Sequence, residues 1–210
     1  MKKSRKKLII TQFFMRLGES LLGLFFPFFL SQTFDLSIPQ VFLWGAVFFL
    51  LQTIIANTLY IWIIKKISAA KTLSLGLLLL ACFYSILGFE LPQNILVIGF
   101  LTFLYSLGLM CFWIEFNTQS FLANQVESRG KFFANYQSVV IGANIISPIV
   151  TGFFLENELE KYSVLVSVFM FLIAIFIGFS IEKFPIQKKV TIAKNWKTQT
   201  RLWKNKPLKK

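Results

Sequence analysis

The sequence has 210 residues, of which 56% are hydrophobic and only 15% are charged, with 26 phenylalanines. This composition is typical of an integral membrane protein and excludes an ordinary soluble domain. A net charge of +13 is compatible with binding of nucleic acid. The basic residues, however, lie between and beyond the apolar segments. Anionic lipid headgroups are therefore the expected partner, and binding of nucleic acid is not expected.

Six apolar segments are each long enough to cross a bilayer, whose hydrocarbon core requires roughly 20 helical residues. The sequence therefore predicts an all-α integral membrane protein with six transmembrane helices. The predicted spans are residues 8–30, 41–64, 72–89, 94–122, 132–155 and 162–181. A basic N-terminus (1–7) and a basic tail (182–210) flank this transmembrane domain (8–181). The first apolar run is interpreted as a retained helix, because a signal peptide would not carry Arg16 and Glu19.

The distribution of charge predicts the orientation. Nearly all of the 22 basic residues fall at the two ends of the chain and in the second and fourth loops, on one side of the membrane. Five of the nine acidic residues fall on the other side, at Asp35, Glu90, Glu156, Glu158 and Glu160. Because basic segments stay in the cytoplasm, both termini are predicted to be cytoplasmic, in a multi-pass protein of the cell membrane.

Polar residues occur inside two of the predicted helices. Gln12, Arg16 and Glu19 form one stripe on the first helix, and Glu115 and Gln119 lie one turn apart on the fourth. Charges at such depth are costly and usually face a cavity or a partner. At 1.5 Å per residue, Arg16 and Glu115 both lie about 10–12 Å from the cytoplasmic side, so we expect them to come within ion-pairing reach.

Two interpretations of these charges are open. In the first, all five polar residues line a substrate or proton pathway, in which a carboxylate exchanges a proton as access alternates. In the second, an ion pair only locks two helices together. We favour the pathway, because Arg16 and Glu19 can satisfy each other locally and Glu115 then requires another explanation.

A charged turn precedes the fifth predicted helix and reads Glu127-x-Arg129-Gly130-Lys131. The helix that follows carries small residues and a proline in the order Ala143-x-x-x-Ser147-Pro148-x-x-Thr151-Gly152. Small residues four apart share a helix face and allow another helix to approach closely, and the proline is expected to bend the helix. Asn144, like Asn57 on the second helix, is expected to form an interhelical hydrogen bond.

This turn and helix resemble a stretch of the major facilitator superfamily, in which the two motifs occur in the same order. There the loop often reads acidic-x-Arg-Gly-Lys and the fifth helix Gly-x-x-x-Gly-Pro-x-x-Gly-Gly, so Pro148 and Gly152 match and small residues occupy the other positions. One motif of the family is missing. The loop between the second and third helices usually reads Gly-x-x-x-Asp-Arg-x-Gly-Arg-Arg, whereas here Lys65, Lys66 and Lys71 supply charge without the aspartate or the glycines.

The resemblance implies the N-terminal six-helix half of such a transporter, built from two inverted three-helix repeats. Its first and fourth helices would line a central cavity, and it would move a small solute of unknown identity by alternating access, with proton coupling as one option. The tail at 182–210 resembles the start of the central linker that joins the two halves. The second half would be a second copy, giving a homodimer, or a separately encoded chain.

The sequence bears on other classes of function as well. The chain has no histidine, so a serine–histidine protease and most zinc sites are excluded, and no enzyme, cofactor or metal is expected. A substrate-binding membrane subunit of a multi-component uptake transporter suits the length and the number of helices. A truncated or accessory protein that transports nothing is the remaining alternative.

Overall fold

The structure is a computed structural model that describes residues 2–23, 26–89, 91–92, 94–123, 129–157 and 160–181. Regular structure within these residues is entirely helical. The helices are α1 (Lys2–Gly23), α2 (Phe26–Phe34), α3 (Ile38–Asn57), α4 (Leu59–Lys66), α5 (Ala69–Leu87), α6 (Ile95–Ala123), α7 (Arg129–Glu156) and α8 (Glu160–Phe179).

Five of the described helices are long and apolar enough to cross a membrane: α3, α5, α6, α7 and the Tyr162–Phe179 part of α8. The predicted all-α membrane class is therefore confirmed. The predicted first span corresponds to α1 and α2, and α1 does not belong to the apolar set because basic residues fill its first two turns. Six spans were predicted, and the described part of the chain provides five by this criterion.

The outer surface of the bundle is apolar. Phe42 on α3, Ile145 on α7 and Phe176 on α8 are 76%, 60% and 81% exposed. Exposed apolar side chains on this scale are unfavourable in water and suit contact with lipid, whereas the backbone polar groups are satisfied within each helix. The chain is a multi-pass membrane protein on this evidence.

The predicted second span is two helices, α3 and α4, that meet at Thr58. The backbone of Thr58 departs from helical geometry, with φ −123° and ψ −83°. Its hydroxyl donates to the Ile54 carbonyl at 2.7 Å, and the Asn57 amide donates to the Thr53 carbonyl at 2.8 Å. Two side chains therefore bond carbonyls of the preceding turn at the point where α3 ends.

The basic residues at the N-terminus belong to α1. Arg5 Nε donates to the Ala123 carbonyl at the end of α6 at 2.7 Å, and the Lys7 ammonium donates to the Ser180 carbonyl just beyond α8. The last carbonyls of a helix have no partner within it, and they carry the negative end of its dipole. The N-terminal charges therefore cap two neighbouring helices on one side of the bundle.

The helices α5 and α6 pack closely at a glycine. The bundle is held by contacts of α1 with α7 and α8, of α5 with α6 and α8, and of α3 with α6. A Cβ atom on Gly76 would lie 2.5 Å from the Phe112 nitrogen and 2.7 Å from the Gly108 carbonyl oxygen. These are backbone atoms, so α5 and α6 can approach this closely only because residue 76 is a glycine.

We expect Gly76→Ala to lower the free energy of unfolding by about 1–3 kcal/mol, because two helix backbones must separate to admit the methyl group. Gly99→Ala on α6 is the matched control, since no atom lies within 4 Å of a Cβ at that position. Thermal unfolding of both variants in the same detergent gives the comparison. Equal unfolding midpoints for the two variants would contradict this close packing.

Candidate functional site

An ion pair lies on the polar stripe of α1. Arg16 Nη1 donates to Glu19 Oε2 at 2.6 Å, one turn along the same helix. The guanidinium lies over the indole ring of Trp113 on α6, with its carbon 4.5 Å from the ring centroid. The two side chains are 27% and 17% exposed, so the pair is neither fully buried nor open to lipid.

This pair faces a cavity of about 280 Å³. The cavity lies between α1, α2, α5 and α6 and combines charges, hydroxyls and aromatic rings. Its lining residues are Arg16, Glu19, Ser20, Gly23, Phe26, Tyr84 and Tyr105. No atom lies within 4 Å of a Cβ built on Gly23, so the absence of a side chain there leaves room inside the cavity.

A second cavity of about 270 Å³ adjoins the first and reaches α7. Ser20 and Gly23 line both cavities, and Asn144 and Pro148 complete the second. The Ser20 hydroxyl donates to Asn144 Oδ1 at 2.8 Å, so the predicted interhelical hydrogen bond of Asn144 is confirmed. The same prediction for Asn57 is wrong, because its amide bonds a carbonyl of its own helix.

Stacked aromatic rings fix one wall of the cavity. The Tyr105 ring lies between Phe83 of α5 and Phe48 of α3, with centroid distances of 4.6 and 5.1 Å. Phe48 stacks in turn on Trp44, whose indole nitrogen donates to Thr102 Oγ1 at 2.7 Å. Offset stacking of this kind holds the rings in defined positions. The Tyr105 hydroxyl is therefore presented to the cavity from a rigid support.

Glu115 lies elsewhere, in a separate buried position. Glu115 is 4% exposed. The Tyr60 hydroxyl of α4 donates to Glu115 Oε1 at 2.8 Å, and Glu115 Oε2 has no hydrogen-bond partner. The predicted Arg16–Glu115 ion pair is wrong for this structure. Arg16 has a carboxylate within one turn of its own helix, and that local partner satisfies it without a contact across the bundle.

The two predicted glutamines are buried. Gln12 is 0% and Gln119 1% exposed. Neither amide atom of Gln12 has a hydrogen-bond partner, and Gln119 Oε1 has none. Within the described residues, no three His, Cys, Asp or Glu side chains converge as metal ligands.

The small residues of α7 lie along the face that meets α1. Ala143, Ser147 and Thr151 are buried, and the Thr151 hydroxyl donates to the Leu21 carbonyl of α1. The Ser147 hydroxyl donates to the Ala143 carbonyl at 2.7 Å, one turn back. Pro148 lies within α7 and lines the second cavity, while a Cβ on Gly152 would meet no atom within 4 Å.

The predicted loop motif differs from its expected setting. Arg129, Gly130 and Lys131 form the first turn of α7 and not a loop. The Arg129 guanidinium lies over the ring of Phe121 on α6, with its carbon 3.9 Å from the centroid, and this contact joins the end of α6 to the start of α7. Glu127 and the tail at 182–210 lie outside the described residues.

Sequence reasoning missed five site residues: Ser20, Tyr60, Tyr84, Tyr105 and Trp113. Aromatic residues inside apolar helices usually pack in the core or lie at the membrane interface. The sequence therefore does not distinguish the aromatic residues that line a cavity from the many that only pack. One signal was available for Ser20, which is four residues from Arg16 and therefore lies on the same side of α1.

Comparison with known proteins gives one match. The family model for the Major Facilitator Superfamily matches residues 8–209, which is nearly the whole chain. No curated protein and no solved structure gives a match.

Proposed function

We propose, from the premise that this chain belongs to the Major Facilitator Superfamily, that it moves a small solute across the cytoplasmic membrane by alternating access. Members of this family are membrane transporters and not enzymes. The observation that carries the proposal is the cavity of about 280 Å³ beside the Arg16–Glu19 pair. Charged residues at membrane depth are unfavourable and usually serve a function. Because this pair lines a cavity, solute binding is the function that we propose for it.

The lining of the cavity supports a binding role for specific groups. Arg16 Nε has no hydrogen-bond partner, so this buried donor is available to an acceptor on a solute. Tyr84 and Tyr105 contribute hydroxyls and ring faces, while Phe26 adds an apolar surface. A small number of polar groups in an aromatic enclosure is the usual composition of a small-molecule site.

Coupling to a proton forms part of this proposal. Glu19 and Glu115 are the carboxylates among the polar residues predicted for the pathway, and the structure gives them different partners. Glu19 is paired with Arg16, whereas Glu115 has only a neutral donor, the Tyr60 hydroxyl, on its Oε1. A carboxylate without a fixed cation partner is the better candidate to gain and lose a proton.

The proposed topology has six spans with both termini in the cytoplasm. The first span would consist of α1 and α2 and the second of α3 and α4. Lys65 and Lys66 at the end of α4, Lys71 in α5 and Lys131 in α7 would then lie with the N-terminal charges in the cytoplasm. Two inverted three-helix repeats, α1–α5 and α6–α8, complete the proposed architecture.

A second six-helix unit is proposed to face the cavities, as a second copy of this chain or as a separately encoded half. Gly23 of α1 and Asn144 of α7 are exposed beside the cavities, on surfaces that a second unit would cover. Two halves of such transporters are related by an axis along the membrane normal. Two copies in the same orientation could therefore pair around one cavity.

Gly23→Trp tests the transport role of the cavity. Solutes that raise the unfolding temperature of the purified protein are selected first and then measured for uptake into proteoliposomes. We expect Gly23→Trp to abolish uptake, because the indole fills space that both cavities share. Gly99→Trp, at an exposed position with open space around it, should retain uptake. Uptake by Gly23→Trp at the wild-type rate would refute this use of the cavity.

The mass of the purified complex in nanodiscs, after subtraction of lipid and scaffold, tests the second unit. We expect the protein mass of two chains, because Gly23 and Asn144, which line the cavities, are exposed in a single chain. A particle of one chain that nevertheless transports solute would contradict the need for a second unit.

A further inference from the structure

We propose that the cavity beside Arg16 and Glu19 selects a zwitterionic solute that carries an aromatic side chain, of which an aromatic α-amino acid is the simplest example. This inference rests on the proposed function and deepens it, because it names the chemical class of the solute. Binding of that class can be measured without transport, so the two proposals can fail separately.

The charges that line the two cavities sum to zero. Arg16 and Glu19 are the charged members of the lining of the first cavity, one of each sign. The second cavity is lined by the uncharged residues Ser20, Gly23, Asn144 and Pro148. A net charge on a bound solute would therefore lack a counter-charge in this lining. Because an uncompensated charge at membrane depth is unfavourable, the cavities favour a solute with no net charge.

The two charges of the lining lie side by side. Arg16 Nη1 donates to Glu19 Oε2 at 2.6 Å, and the side chains are 27% and 17% exposed. A guanidinium has several N–H donors and a carboxylate has two acceptor oxygens, so one bond leaves both groups able to bind further partners. A solute carboxylate can bond the guanidinium while a solute ammonium bonds Glu19. In an α-amino acid these two groups share one carbon, which suits charges that lie one hydrogen bond apart.

The guanidinium is held in place before a solute binds. Its carbon lies 4.5 Å from the centroid of the Trp113 ring, at the distance of a cation–π contact. Arg16 Nε is buried and has no hydrogen-bond partner. A solute carboxylate at this edge of the guanidinium would satisfy that donor. Because the charge is already positioned, little conformational entropy is lost when the solute binds.

The remaining walls of the first cavity are largely aromatic. Tyr84 and Tyr105 meet edge to face, with centroids 6.4 Å apart and an interplanar angle of 86°. The Phe26 ring lies 6.0 Å from that of Tyr105. Ring faces and edges of this kind favour a planar aromatic group, which adds stacking to the burial of apolar area. A volume of about 280 Å³ is small for a ligand pocket and suits a solute with one side chain.

Other classes of solute fit this lining less well. An anion would approach Glu19 and a cation would approach Arg16, and neither would be neutralised by the pair as a whole. An uncharged polyol would form no bond in which both partners are charged, and such bonds are the stronger kind. The Ser20 hydroxyl already donates to Asn144 Oδ1 at 2.8 Å, so one of the neutral groups that a polyol would use is engaged.

The test compares five small probes on the purified full-length chain in detergent at neutral pH. L-Phenylalanine has both charges and the ring. 2-Phenylethylamine lacks the carboxylate, 3-phenylpropionate lacks the ammonium, 2-phenylethanol lacks both charges, and L-alanine lacks the ring. Affinity is measured by titration calorimetry and, independently, by the rise in unfolding temperature, since a ligand that binds the folded state alone stabilises it.

We expect L-phenylalanine to bind saturably and each of the other four probes to bind at least about tenfold more weakly. The three ring-bearing analogues each lose one or both charge-assisted bonds, and L-alanine loses the contact with the aromatic walls. Binding of 2-phenylethanol or of either ion as tightly as L-phenylalanine would overturn the proposal, and so would no binding of L-phenylalanine. This ranking needs the wild-type protein alone.

Single substitutions in the pair should change the preference in opposite directions. Glu19→Gln leaves a net positive lining and should bind 3-phenylpropionate more tightly than L-phenylalanine. Arg16→Gln leaves a net negative lining and should favour 2-phenylethylamine. Glu156→Gln, which removes an exposed carboxylate at the end of α7, is the matched control and should keep the wild-type ranking. Unchanged rankings in both folded pair variants would contradict the assignment of the two charges to the solute.

Uptake into proteoliposomes separates this inference from the proposed function. Binding with the predicted ranking in a protein that takes up no L-phenylalanine would support the solute class and count against transport. Uptake of a solute that is not a zwitterion, if Gly23→Trp blocks it, would support transport and overturn the solute class.

Discussion

The pairing of Arg16 with Glu19 places two charges at the cavity and leaves Arg16 without a contact to Glu115. Both charges lie on one face of α1, 2.6 Å apart, and the stacking of Arg16 on Trp113 holds the pair against α6. A low-dielectric interior makes an unpaired charge far more costly than in water, so a partner one turn away fixes both side chains. The pair contributes the two charges that line the cavity. Glu115 lies apart from them, buried and in contact with Tyr60 of α4.

The membrane imposes the same constraint on the rest of the polar residues. Lipid offers no hydrogen bonds, so polar side chains at this depth are expected to bond a neighbour or to face a cavity. The Ser20–Asn144 bond and the Thr151–Leu21 bond illustrate the first case and tie α7 to α1. The Arg16–Glu19 pair illustrates the second, because it lines the cavity of about 280 Å³. Glu115 is separate from both groups of residues, because it is buried on α6 and accepts a hydrogen bond from the Tyr60 hydroxyl of α4.

Much of the architecture could be predicted from the sequence, because hydrophobic length and charge asymmetry act locally. The helical class and the polar stripe of α1 follow from spacing alone, and so does the burial of the small face of α7 against a neighbour. The interruption at Thr58 could not be predicted, because no glycine or proline lies within four residues of it. The Arg16–Glu115 pair was predicted from depth alone, which does not show that Arg16 has a nearer partner.

Charge reversal tests the pairing at the centre of this account most directly. Unfolding temperatures are compared for two double variants in the same detergent, Arg16→Glu/Glu19→Arg and Arg16→Glu/Glu115→Arg, together with the single Arg16→Glu. The account predicts that exchange with Glu19 restores stability relative to the single variant, because the pair is rebuilt on one face of α1. Restoration by exchange with Glu115, and not with Glu19, would show that Arg16 pairs across the bundle and would contradict it.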